Sequence, residues 1–155
     1  MTNRAGVTLM AVGFVLVAAV SFGVARHWQL RQPVYNRVAA VESCDLHVGP
    51  CRQTVAGGAV VFSIMPQPVP LMRPMQLAVE AVGLDAHGVA VEIRGLNMDM
   101  GLNRTLLTKS HTGRWKGETI LPLCSQRRMQ WEAAVRLDAE QGRFEVPFLF
   151  DTKRP

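Results

Sequence analysis

With 155 residues, 48% of them hydrophobic, the chain has room for one domain and an appendage. Its net charge of +5 is scattered along the sequence and forms no basic stripe, which excludes a nucleic-acid binder and suits a surface beside anionic lipid.

The appendage comes first. From Ala5 to Ala25 the sequence "AGVTLMAVGFVLVAAVSFGVA" carries no charge, and at 1.5 Å per residue it matches a bilayer core of roughly 30 Å. It reads as a single membrane span over residues 1–25. A cleaved secretory signal is the rival, since Gly23-Val24-Ala25 is a small-x-small site and Arg4 supplies a positive n-region, but the apolar run exceeds the usual length of about 7 to 15 residues. Arg26, Arg31 and Arg37 follow the span, so charge counting alone favours a cytoplasmic domain, yet long domains translocate largely regardless of charge.

The cysteines decide the side. Residues 26–58 read as a stalk, with Trp28 and Tyr35 suited to the membrane interface and with Cys44 and Cys51 enclosing "DLHVGP". The Gly-Pro turn in that loop brings the two sulfurs within reach, and an export-type N-terminus makes a disulfide the expectation. A metal site with His47 as a third ligand is the alternative, without a recognised zinc spacing. The expected location is the cell inner membrane, crossed once, with the C-terminal domain in the periplasm and the membrane lipid as a partner.

After Gly57-Gly58 the pattern turns to period two, the mark of half-buried strands. Six strands are predicted, over 60–64, 75–81, 89–93, 115–121, 129–137 and 144–150, separated by "PQPVP", "GLDAHG", "KSHTGR" and "DAEQGR". No capped amphipathic helix is visible beyond residue 25. The economical fold is all-β, an immunoglobulin-like antiparallel β-sandwich over 59–155 behind an N-terminal transmembrane helix.

Eight methionines are more than a small β domain requires. Met75 and Met129 fall in register with Leu77 and Trp131 and read as core. Met98 and Met100, in "GLNMDMG", are different. If the strand of Val89, Val91 and Ile93 continues unbroken, both methionines face outward, where soft thioethers would suit Cu(I). If Gly95 marks a bulge, both turn into the core and Asp99 faces water. His111, His47 and His87 are loop histidines that could complete a soft site. Cys124, after Pro122, is a buried thiol, a ligand with Met129, or a partner for Cys44 or Cys51. The candidate metal ligands are therefore Met98, Met100, Cys124 and His111.

No Gly-rich phosphate loop, H-E-x-x-H or G-x-S-x-G sequence is present, and no carboxylate pair suggests acid-base work, so a non-enzymatic binding or assembly role is favoured. A metal-free module packing its Met-rich edge on a membrane partner is the second reading, and a thiol-disulfide role for Cys44 and Cys51 a third.

The order of "MPQPVPLMRPMQLAVEAVGL", "VAVEIRGLNMDMG", "LLTKSHTGRWKGETILPLC" and "MQWEAAVRLD" resembles the YtkA-like and FixH-like membrane-anchored extracytoplasmic β-sandwich domains over residues 59 to 150. That resemblance implies copper handling or cytochrome oxidase assembly, with a respiratory oxidase or copper chaperone as partner. It also implies a ligand role for Met98 and Met100 and structural roles for Trp115 and Trp131. Cys44, Cys51 and Cys124 do not map onto the family pattern.

Overall fold

The uncharged run from Ala5 contains no proline, and the helix it nucleates continues past the expected Ala25: α1 spans Arg4–Leu30. The computed structural model describes residues 4–30, 33–40, 44–123 and 125–154; Arg31 and Cys124 lie outside them. Within α1 the stretch Met10–Trp28 has a mean hydropathy of 1.7 and no side-chain burial inside the fold, so the helix is long and apolar enough to be a single span or a signal anchor.

The second compact unit begins at Tyr35 and holds nine strands among its described residues. They are β1 (Asn36–Arg37), β2 (Cys51–Val55), β3 (Gly58–Met65), β4 (Pro74–Val82), β5 (Ala86–Gly95), β6 (Asn103–Lys109), β7 (Trp115–Ile120), β8 (Arg128–Ala139) and β9 (Gly142–Lys153). All six predicted strands are present, as β3, β4, β5, β7, β8 and β9. β1, β2 and β6 were not anticipated. β2 alternates Cys51, Gln53 and Val55 inward, and its polar middle residue hides the period. β6 buries only Leu107, so its sequence carries almost no apolar alternation. The segment 26–58, read as a stalk, thus supplies two strands of the sheet.

The strands form one sheet in the order β1-β9-β8-β5-β6-β7-β4-β3-β2, antiparallel except for β1 beside β9. β6 pairs with β5 through Asn103–Leu107 and with β7 through Thr108 and Lys109, which carries the ladder around a bend. The result is all-β, as expected, in the form of a nine-stranded sheet curled into a half-barrel. Its two edges approach where the Gln53 amide donates to the Ala39 carbonyl, just past β1. Across the interior Phe62 and Phe148 meet with ring centroids 5.3 Å apart.

Period-two faces fill that interior. Phe62, Ile64, Leu77, Val91, Trp131 and Leu137 are each 1% exposed or less. Burying one such side chain contributes about 1.5–3 kcal/mol. Trp131 needs a partner for its ring N–H when buried, and donates it to Thr152 Oγ1 at 2.8 Å.

The register defines two ends. At one lie the start of β2, the end of β3, the start of β4, the end of β5, the start of β6, the end of β7, the start of β8 and the end of β9. The loops 44–50, 66–73, 96–102 and 121–127 cover it. At the other, Asn36 sits beside Phe144 near the start of β9, so the chain enters the curled sheet there.

Candidate functional site at the methionine end

Six methionines lie beyond α1, and the topology gathers all of them at the loop-covered end: Met65 ends β3, Met72 is in the loop 66–73, Met75 is one residue into β4, Met98 and Met100 are in the loop 96–102, and Met129 is one residue into β8. Met75 and Met129 are buried at 1% and 3%, as their registers predicted.

Gly95 settles the facing of Met98 and Met100 differently from either sequence reading. The strand neither continues through them nor bulges at Gly95; β5 simply stops there, and the register shift of this strand lies instead between Ala86 and Gly88. The loop then folds back. A β-carbon on Gly95 would collide with the Met98 carbonyl oxygen and sit 3.0 Å from Met129 Cε and 3.4 Å from Met100 Cγ. Glycine is required because the returning loop occupies the side-chain position. Asn97 pins that return: its Nδ2 donates to the Arg128 carbonyl at 3.0 Å and its Oδ1 accepts from the Gln130 amide at 3.0 Å, while the Leu96 amide donates to the Gln130 carbonyl. Asp99, exposed, accepts from the Gly101 amide at 2.9 Å. Met98 is left exposed and Met100 half-buried against the core, so the pair splits between solvent and interior.

Met72 joins two of the loops. Its backbone adopts a left-handed φ of 56°, a conformation costing on the order of 1 kcal/mol or more in a residue with a side chain. Its amide donates to the Leu121 carbonyl and its sulfur accepts from the Leu123 amide at 3.3 Å. Nothing in the sequence pattern marks it, since the signal is a backbone angle.

Cys44 and Cys51 form the expected disulfide, with Cα atoms 5.7 Å apart. This removes the metal reading of the loop, and it leaves neither cysteine to pair with Cys124. Leu46, between them, is fully buried, and His47 is built into the structure: its Nε2 faces the Asp151 carbonyl, its Nδ1 accepts from the Val69 amide at 3.1 Å, and its ring stands edge-on to Phe150.

His111 does not join Met98 and Met100. It lies exposed in the turn between β6 and β7, at the opposite end, and the six residue steps from Asn103 to Lys109 separate the two ends by about 20 Å at the usual strand rise. His87, likewise exposed, is near the start of β5 at that far end. Among the described residues, no three His, Cys, Asp or Glu side chains converge as a metal-binding set. Among the described residues, the soft donors at the methionine end are therefore thioethers.

A second constellation, invisible in the sequence, covers the outer face of β8 and β9. Arg94, Glu132, Arg37, Glu145, Arg136 and Glu92 alternate in sign along one chain of ion pairs. Glu132, almost wholly buried, lies 2.6 Å from Arg37 Nη2 and 2.7 Å from Arg94 Nη2. Burial pushes the Glu145 carboxyl up, but hydrogen bonds from Arg136 and Arg37 outweigh it and hold the group below its ordinary value. The hydrogen bond to Glu132, joined by the one to Glu145, raises Arg37 above its ordinary value against the opposing effect of burial. Tyr35, under the Arg136 guanidinium, has its hydroxyl pushed up by burial and then by Asp138, to which it donates. These contacts fasten β1 to the sheet.

No family model, curated protein or solved structure matches the chain.

Proposed function

We propose that the protein is a non-enzymatic, membrane-tethered accessory protein that handles Cu(I) through the methionine end of its half-barrel. The observation that carries this reading is the gathering of the six methionines that follow α1 at one end of the sheet, with Met98 exposed beside the half-buried Met100. Thioethers are soft donors that suit Cu(I), and the loop return over Gly95 places Met100 next to Met129. Met98 and Met100 are the assigned ligands. Cys124 follows Leu123, whose amide is held by the Met72 sulfur, and it remains part of the proposed donor set.

The single apolar helix and the disulfide support a protein of the inner membrane whose domain is in the periplasm, because disulfides persist on the oxidising side. The opposed layers of the curled sheet support an immunoglobulin-like domain. Delivery to a respiratory oxidase, or exchange with a copper chaperone, is the role that the YtkA-like and FixH-like resemblance implies.

The test is a Cu(I) titration of the full chain in detergent against a competing chelator. The Met98→Leu/Met100→Leu variant is expected to lose at least ten-fold in affinity. Equal affinity for the two proteins would remove the assigned site, and leave the metal-free reading, in which the exposed methionines pack on a membrane partner.

A further inference from the structure

The loop 44–50 holds a histidine in a fixed setting. Its neighbour Leu46 is fully buried, and Asp45 shapes the turn: the carboxylate accepts the His47 amide at 2.8 Å, and the carbonyl accepts the Val48 and Gly49 amides. The ring is thereby aimed between the loop 66–73 and the end of β9.

There both ring nitrogens meet backbone groups, which cannot exchange roles. The Val69 amide can only donate, so Nδ1, 3.1 Å away, must be an unprotonated acceptor. The Asp151 carbonyl can only accept, so Nε2 must carry the hydrogen. The fold thus selects the neutral imidazole and one of its two tautomers. A second proton has only Nδ1 to occupy, where it would point at the Val69 N–H. Val69 is 6% exposed, so water is poorly placed to take over as acceptor. Imidazole is also the side chain whose ordinary charge change falls between about pH 5 and 8.

We propose that His47 is a pH-operated latch on the loop 66–73: the neutral ring holds the Val69 amide, and protonation releases it. The surroundings give the cation somewhere to turn. Beside the ring lies an open space of about 370 Å³, lined by Asp45 from its own loop, by Asp151, Thr152 and Lys153 from β9, and by Pro68 and Val69 from the loop 66–73, which brings no charge there. Two carboxylates face one ammonium in this space, although Arg128 Nε takes part of the Asp151 charge. The ring's other neighbour, the Phe150 ring, is uncharged. The direction follows: the latch is closed while the ring is neutral and opens as pH falls through its titration.

The released loop is the one that carries Met72, whose amide and sulfur hold Leu121 and Leu123 of the next loop. Gln67 Nε2, donating to the Leu46 carbonyl at 3.2 Å, remains as a tether and keeps the opening local. The inference does not require copper.

The test uses NMR of the full chain in detergent, from about pH 8 down to the point where the His47 ring has taken up its second proton. Ring-nitrogen shifts report tautomer and charge, and hydrogen exchange, corrected for its intrinsic pH dependence, reports the Val69 amide. The amide of Val135, buried within β8, is the control. The expected result is a ring protonated on Nε2 alone at the start, and Val69 protection that falls about ten-fold or more in step with the ring while Val135 is unchanged. The opposite tautomer, constant Val69 protection through the titration, an equal fall at Val135, or a ring that protonates only as the whole fold is lost would each overturn the latch. His47→Asn keeps a side-chain oxygen near the Nδ1 position and takes up no proton, so its Val69 protection should be flat with pH. The wild-type fall persisting in that variant would assign the titration to another group and overturn the inference. Protection already lost at every pH in the variant would uphold it, provided the wild-type fall follows the ring, because the imidazole is then the acceptor that Val69 depends on.

Discussion

The outer face of β8 and β9 and the methionine end solve opposite problems with the same chain. On the outer face, every charge of the Arg94–Glu132–Arg37–Glu145–Arg136–Glu92 ladder has a partner of opposite sign, and the buried Glu132 is held from both sides. At the methionine end, Asp45 and Asp99 accept only from backbone amides, and charged and large apolar groups are left facing solvent. A face whose groups satisfy one another is finished by folding. The methionine end is left with surface that folding alone does not cover, which is where binding free energy is available.

The largest expected effect comes from unfastening the methionine end. The disulfide closes a loop with a sequence separation of 7 and seats the fully buried Leu46. Chain-entropy arguments give a cross-link over so short a loop about 2–3 kcal/mol. The Cys44→Ala/Cys51→Ala variant should lose that much in urea unfolding, with hydrogen-exchange protection falling first at the His47 and Val69 amides. Unchanged stability would show that the loop 44–50 is held by Leu46 and His47 without the covalent bond.

A middle-sized effect is expected at Gly95. Alanine there would place its methyl against the Met98 carbonyl oxygen, which is backbone, and 3.0 Å from Met129 Cε. Forcing a loop off its support in this way costs about 1–3 kcal/mol. Methyl-NMR resonances of Met98, Met100 and Met129 should shift together in Gly95→Ala while the outer-face ladder stays unperturbed. A shift confined to Met129 would mean that the loop does not rest on Gly95.

How much of this was legible beforehand follows from what each element depends on. β3, β4, β5, β7, β8 and β9 were readable because one face of each is buried by its neighbours, which forces apolar alternation. β6 was not, because it carries the sheet around its bend with a single buried side chain, and β1 was not, because two exposed residues, Asn36 and Arg37, have no period. The disulfide was readable from the loop it closes. Gly95 stood out as the pivot for Met98 and Met100, yet both readings assumed the strand continued, and strand termination depends on Asn97 reaching the backbone of Arg128 and Gln130 some thirty residues away. His111 lies apart from the methionines for the same reason: proximity across a sheet is set by topology, and β6 runs its turn away from them.

The smallest effect tests the outer face. The Glu145 carboxyl is held below its ordinary value by Arg136 and Arg37, so the folded state binds its proton less readily than the unfolded chain does. Stability from this group is therefore fully present above the ordinary carboxylate value of about 4.3 and is lost as pH falls through the lower folded value. Glu145→Gln should be less stable than the parent near pH 7, by less than about 1 kcal/mol given the exposure of Arg37. The gap should close in acid, where the parent's carboxyl is protonated too. Unfolding curves that stay parallel from pH 7 to pH 3 would mean that the ladder does not hold Glu145 in its charged form, and the outer face would then be no more self-satisfied than the methionine end.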